Sequence, residues 1–192
     1  KKIINEPTQV VDEMLQGLSF MHDDLVERLD GFDVIVRKAE KTGKVGLISG
    51  GGSGHEPSHA GFVGDGMLSA AICGAVFTSP TPDQILEAIK AADEGAGVFM
   101  VIKNYSGDIM NFEIAQELAE MEGIDVASVV VDDDIAVENS LYTQGRRGVA
   151  GTILVHKILG DAARSGKSLA QMKDLADKLV LEIKTIGLAL SG

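Results

Sequence analysis

Hydrophobic positions along this chain alternate between a helical period and nearly unbroken extended runs. Up to about Met21, Val10, Val11, Met14, Leu15 and Leu18 recur at helical spacing, with Pro7 near the first turn, where proline is tolerated. Compact apolar runs at 32–37, 44–49, 67–73, 97–103 and 125–131 predict strands, and several have too little polar alternation to face water on either side. Between and after them, 55–64, 81–92, 108–122, 149–165 and 168–188 read as helices, joined by short connections ending in Gly, Asp, Ser or Thr. The alternation of strand and helix predicts an α/β fold: three layers, a mostly parallel sheet flanked by helices on both faces.

Composition sharpens this picture. At 192 residues and 45% hydrophobic content the chain can fill one core, but aromatics make up only 4%, so aliphatic side chains and Met must do the packing. The 23 glycines follow no period, which excludes a collagen-like or low-complexity chain. A single cysteine, Cys73, excludes an internal disulfide framework and fits a reducing compartment. A net charge of −12 disfavours nucleic acid, whose backbone needs clustered Lys and Arg. The apolar runs are strand-sized, so no membrane partner is expected, and a cytoplasmic location is. The chain shows no internal repeat and no linker. Its last helical pattern runs into Leu188-Ala189-Leu190-Ser191-Gly192 without a cap, so residues 1–192 are expected to be a fragment of a longer chain.

The strand exits carry unusual polar chemistry. Gly50, Gly51, Gly52, Ser53, Gly54 and His55 follow the second run, and a parallel sheet gathers such exits along one edge, where α/β folds bind ligands. Glycine permits close backbone approach at an entropic cost. Neither nucleotide fingerprint fits: a third glycine is required where His55 stands, and no Gly-Lys-Ser/Thr closes the loop. Two readings stay open, a tight turn packed with glycines and a set of backbone donors at a helix start that hold a phosphate or carbonyl oxygen. His55-Glu56-Pro57-Ser58-His59 matches the zinc-protease string His-Glu-x-x-His but is rejected, because that motif sits mid-helix and Pro57 belongs in a first turn. No metal site is expected, and His59 reads as a structural helix residue. His55 is either a solvent-facing helix-start residue or an imidazole placed for proton transfer, the reading favoured here. His22 and His156 read as surface or core residues.

Further exits add Gly74-Ala75-Val76-Phe77-Thr78-Ser79-Pro80-Thr81-Pro82, then Lys103 and Asp108 around Asn104-Tyr105-Ser106-Gly107. Asp108 fits a helix N-cap or a catalytic carboxylate, roles that are compatible. Asp132-Asp133-Asp134 reads as a solvated acidic turn, since neighbouring strand residues face opposite ways and cannot all chelate one ion. Arg146-Arg147 could hold an anion or pair with that turn.

Together, Ser49-Gly-Gly-Gly-Ser-Gly-His-Glu-Pro57, Phe77-Thr-Ser-Pro-Thr-Pro82, Ile102-Lys-Asn-Tyr-Ser-Gly-Asp108, Val131-Asp-Asp-Asp-Ile-Ala-Val137 and Leu141-Tyr-Thr-Gln-Gly-Arg-Arg-Gly148 resemble the K subunit of the dihydroxyacetone kinases, or the matching half of their single-chain ATP-dependent forms. The resemblance implies dihydroxyacetone as substrate, bound by Gly52, Ser79, Lys103 and Asp108, with His55 as acid/base and Asp108 accepting the hydroxyl proton. It implies no cofactor on this chain. Mg-ADP or Mg-ATP would be carried by a separate L subunit, with phosphate supplied through the phosphotransferase system in the bacterial type. It also implies a homodimer, and it makes residues 1–192 an N-terminal substrate-binding domain with a second domain following. Family members hold the substrate carbonyl as a hemiaminal on a histidine in a later segment, for which these residues offer no candidate, so the fragment alone is expected to be inactive. The alternative is a non-catalytic dihydroxyacetone-binding coactivator that docks on a transcriptional regulator.

Overall fold

A computed structural model describes residues 3–138 and 145–190. The Leu141–Gln144 part of the last string above lies outside them. The chain begins with helix α1 (Val10–Met21), then strands β1 (Val26–Arg28), β2 (Val34–Arg37), β3 (Gly46–Ser53) and β4 (Ala70–Val76). Helix α2 (Pro82–Ala92), β5 (Val98–Lys103), α3 (Ser106–Met121), β6 (Val126–Val131), α4 (Thr152–Arg164) and α5 (Leu169–Glu182) complete it. The six strands form one sheet in the order β1-β2-β4-β3-β5-β6. β4, β3, β5 and β6 run parallel, while β2 is antiparallel to β4 and β1 antiparallel to β2.

Alternation along each strand divides the core in two. In β5, Phe99 and Val101 face one way, with Leu15 of α1, Val155 and Leu159 of α4 and Met172 of α5. Val98, Met100 and Ile102 face the other, against Ile85 and Ile89 of α2 and Phe112 and Ala115 of α3. The three-layer expectation holds. Thr81 opens α2 with its backbone N–H on Gln84, and Ser168 and Gln171 cap α5 reciprocally.

Several local expectations are corrected. β3 runs on through Gly50, Gly51 and Gly52, which pair in register with Ile72, Cys73 and Gly74 of β4, so the glycines are strand rather than loop. Residues 55–64 form turns and one short 3-10 turn at Ala60–Phe62 instead of a helix, because Pro57 and the surrounding glycines withhold helical stability. The last helix stops at Glu182 rather than 188, since Thr185 is held elsewhere: it donates its N–H and its hydroxyl to Asp133, at 2.8 and 2.5 Å. The acidic turn is not solvated. Asp133 and Asp134 are buried, and the Asp133 carboxylate accepts the N–H groups of Val149 and Gly151 at 2.7 and 2.8 Å ahead of α4. Arg146 and Arg147 pair with Asp132 and Asp134, which decides between their two readings.

Candidate functional site

The chain leaves β3 toward β4 on one side, then returns past β3 to β5 on the other. That reversal opens a crevice at the carboxyl ends of β3 and β5, the place where open α/β sheets bind ligands. Gly52, His55, Phe77, Ser79, Lys103, Tyr105, Ser106, Gly107 and Asp108 line an open cleft of about 540 Å³ there. All five sequence-predicted site residues, Gly52, His55, Ser79, Lys103 and Asp108, are among them.

Each is placed by local necessity. β3 can run beside the 77–79 strap only without side chains: a Cβ on Gly52 would lie 2.5 Å from the Thr78 nitrogen and 2.7 Å from the Phe77 carbonyl carbon. Gly51 faces the polar centre, where a Cβ would stand 3.3 Å from Lys103 Nζ and 3.7 Å from an Asp108 carboxylate oxygen. The strap turns at Phe77, whose φ of 53° is left-handed, and its ring meets the His55 imidazole edge-on at 5.2 Å between centroids. On the far side α3 begins at Ser106 with Tyr105 at its N-cap position, so Asp108 lies in the first turn and is not the cap. Its carboxylate instead accepts a very short hydrogen bond from the Ser79 hydroxyl.

Burial sets the electrostatics. Asp108 is 4% exposed, and desolvation raises its carboxyl above the ordinary value against the pull of the Ser79 hydroxyl, Lys103 and His55. Desolvation also lowers the Lys103 ammonium, with the Asp108 charge opposing. Nζ sits 5.5 Å from the Tyr105 ring centroid, and among the described residues no carboxylate lies within ion-pair distance of it. His55, at the mouth, is lowered by desolvation and then by Lys103, so it is largely neutral at neutral pH. The cleft therefore offers a desolvated acceptor, an incompletely paired cation, a hydroxyl and a neutral imidazole. This is a set suited to binding hydroxyl and carbonyl oxygens and accepting a proton from one of them.

Sequence reasoning missed Phe77 and Tyr105, whose strings were noted without roles. It also separated His59 and His156, which are buried together with Nδ1 of His59 3.0 Å from Nε2 of His156. His59 is not helical, and His22 is exposed at the end of α1. Cys73 is buried and its thiol pushed up to about 12 by desolvation, which makes it unreactive. No helix of the described residues is long and apolar enough to cross a membrane.

Comparison with known proteins agrees with this architecture. The chain is 70% identical over 191 residues to a protein of Lactococcus lactis named PTS-dependent dihydroxyacetone kinase, dihydroxyacetone-binding subunit DhaK, covering all of this chain and 58% of that protein. It is 43% identical over 190 residues to the DhaKLM operon coactivator DhaQ of the same organism, covering 99% of this chain and again 58% of the relative. The chain thus spans little more than half the length of these relatives. A crystal structure of the dihydroxyacetone kinase from C. freundii, in complex with AMP-PNP and Mg2+, superposes with a TM-score of 0.86 at 41% identity, over 93% of this chain and 33% of that one. Since the Dak1 domain model also matches residues 16–192, the chain belongs to the Dak1 domain family.

Proposed function

We propose that this chain is the dihydroxyacetone-binding part of a dihydroxyacetone kinase, and that the cleft between β3 and β5 presents the triose to a nucleotide-bearing L subunit. The observation that carries this reading is the convergence of Gly52, His55, Ser79, Lys103 and Asp108 on one cleft, with the Asp108 carboxylate and the Lys103 ammonium both desolvated. Lys103, Ser79 and the Gly52 backbone orient the hydroxyls and carbonyl of the neutral substrate. Asp108 accepts the proton of the hydroxyl that takes the phosphoryl group, a task helped by a carboxylate raised above its ordinary range. His55, neutral at the mouth, exchanges protons with the substrate oxygen nearest it.

The nucleotide and its magnesium, which supply the phosphoryl group and neutralise its charge, belong in this reading to the partner. Gly50, Gly51 and Gly52 are paired in the sheet, Gly52 is closed over by Phe77 and Thr78, and the described residues 55–64 after them form no α-helix to make a phosphate cradle. A cytoplasmic homodimer charged through the phosphotransferase system completes the proposal. The greater identity to the kinase subunit than to the coactivator favours catalysis over regulator binding.

The test is Asp108→Asn in the full-length protein, assayed with the L subunit, its phosphoryl donor and dihydroxyacetone. The isosteric amide keeps Ser79 a partner and removes the proton acceptor, so kcat falls by about 10²–10⁴ with folding retained. Turnover at the wild-type rate would refute the role. A wild-type protein that binds dihydroxyacetone without supporting any phosphorylation would establish the coactivator reading instead.

A further inference from the structure

The turn that carries His55 is poorly held by its own residues. Gly54, His55, Glu56 and Pro57 are exposed and Ser58 is half-buried. Its internal bonds are the Ser58 N–H on the His55 carbonyl at 3.1 Å and the Gly54 N–H on the Glu56 carboxylate at 3.1 Å. Outside the turn, the Phe77 ring leans on His55, and the Pro57 carbonyl accepts the Gly61 N–H at 2.9 Å from the segment that follows His59. Its position must therefore come mainly from its two ends. The leading end is Ser53, 4% exposed, whose hydroxyl donates to the Gly74 carbonyl at 2.7 Å.

The trailing end is His59, four residues after His55 and 5% exposed. Its Nδ1 lies 3.0 Å from Nε2 of His156, which is fully buried on α4 beside Val155 and Leu159. The two rings meet edge to face at 5.2 Å, and Phe62 closes over His156 at 6.4 Å. α4 is a firm base, because its Gly160 sits so close to the Gly66 backbone that a Cβ would lie 2.4 Å from the Gly66 oxygen. Whichever imidazole supplies the bridging proton, the pair is left with one N–H and one lone pair over. The free nitrogens, His59 Nε2 and His156 Nδ1, are buried without a partner among the described residues. Two leucines of similar volume would fill this space without orphaned polar atoms, so packing alone does not account for the pair.

We propose that His59 and His156 form a buried two-imidazole lock that fixes the trailing end of the His55 turn to α4 and so positions the His55 ring over the cleft. Both are positioning residues, since they act through His55 and do not line the cleft. Burial keeps both rings neutral, with Lys103 opposing protonation of either and His55 that of His59, so the bridge is a neutral hydrogen bond that persists at neutral pH. The inference rests on the reading that His55 serves proton exchange with the substrate.

The test compares full-length wild type, His59→Leu/His156→Leu and His55→Ala in melting, dihydroxyacetone binding by calorimetry, steady-state kinetics and NMR titration of the His55 ring. The lock requires the double leucine variant to melt no lower than wild type and to bind dihydroxyacetone within about twofold. Its kcat should fall by about tenfold or more, and its His55 should titrate nearer the ordinary imidazole range as the ring loosens into solvent. An unchanged His55 titration would overturn the lock, and so would wild-type kcat in the double variant while His55→Ala is inactive. If His55→Ala is itself fully active, the proton-exchange reading fails separately, and the His55 titration still decides whether the pair positions the ring. Should the double variant not fold, His156→Gln takes its place, because its amide can stand where Nε2 stands. A kcat within about threefold of wild type then sustains the lock, and a tenfold loss in that folded variant overturns it.

Discussion

Adding one methyl group at each of two adjacent glycines separates the stability of this site from its chemistry. At Gly52 the new carbon would face backbone: Thr78 N at 2.5 Å, with the carbonyl carbon and Cα of Phe77 at 2.7 and 2.8 Å. Restoring an ordinary contact of 3.4 Å moves the 77–79 strap back by about 0.9 Å. Overpacking of this kind costs about 1–3 kcal/mol, and the reduced freedom of the unfolded chain returns only about 0.4–1 kcal/mol. Gly52→Ala is therefore expected to be destabilised by about 1–2 kcal/mol on balance. At Gly51 the same carbon would meet the end of a flexible side chain, Lys103 Nζ at 3.3 Å and Cε at 3.4 Å, with Asp108 Oδ2 at 3.7 Å. The ammonium can yield by a few tenths of an ångström, so the unfolded-state gain prevails and Gly51→Ala should melt at or slightly above the wild-type temperature. Its methyl nevertheless enters the space between the Lys103 and Asp108 side chains, and displacements of that order cost about 10–100-fold in kcat/KM. Thermal melting and the coupled phosphorylation assay on the full-length variants give the two readouts. Wild-type kcat/KM in Gly51→Ala would show that the Lys103 ammonium does not act at the substrate. Wild-type melting in Gly52→Ala would show that the strap is not held by contact with β3.

Two other expectations follow from buried polar groups. Asp133 accepts the backbone N–H groups of Val149 and Gly151 and the Thr185 hydroxyl, so Asp133→Ala strands one buried and one half-buried donor and should destabilise the protein by about 1–3 kcal/mol, read by urea denaturation; a loss below about 0.5 kcal/mol would refute the assignment. His59 and His156 are buried neutral, both below the ordinary histidine value of 6.5 and His156 at about 3. The unfolded chain therefore binds more protons below pH 6.5, and stability is lost as pH falls from 6.5 toward the folded values, by at most about 1.4 kcal/mol per pH unit for each imidazole. Urea titrations between pH 7 and 5 should show a steeper slope in wild type than in His59→Leu/His156→Leu, which keeps only the share of His55 and the carboxylates; equal slopes would refute it.

The sheet was legible because β3 and β5 are covered on both faces and so carry apolar runs, which periodicity detects without tertiary information. β1 was not, since a three-residue edge strand carries too little pattern. The glycines were misread for a physical reason. Glycine usually marks a loop, whereas Gly50 and Gly52 are in the strand because Ile72 and the 77–79 strap leave no room for a Cβ. The site was legible as a place because exits of a parallel sheet share an edge, which brought His55, Lys103 and Asp108 forward; Gly52 and Ser79 were picked out within those exits by the family resemblance. The acidic turn and the two histidines were not, since the partners of Asp133 are up to 52 residues away and His59 is 97 residues from His156. Polar residues whose satisfaction is long-range look like surface when only their neighbours in sequence are visible.

The same distinction bears on why this cleft suits an uncharged ligand. Elsewhere in the molecule charge is answered at contact distance: Arg147 meets Asp134 at 2.6 Å and Arg28 meets Asp33 at 2.5 Å. In the cleft, Lys103 and Asp108 feel each other electrostatically but do not close to an ion pair, and burial pushes the ammonium down and the carboxyl up. A fully formed pair would have consumed the hydrogen-bonding capacity of both groups, and an anionic ligand would have placed its charge beside a desolvated carboxylate. A neutral polyol avoids both penalties. In the proposed reading its oxygens accept from Lys103 while one hydroxyl donates to Asp108, which already holds the Ser79 hydroxyl proton, so binding completes the polar network at an acceptor that burial has made more basic. The methyl-free surface of Gly51 keeps that space open between the two side chains, and this is why the smallest addition there is expected to be felt in turnover before it is felt in folding.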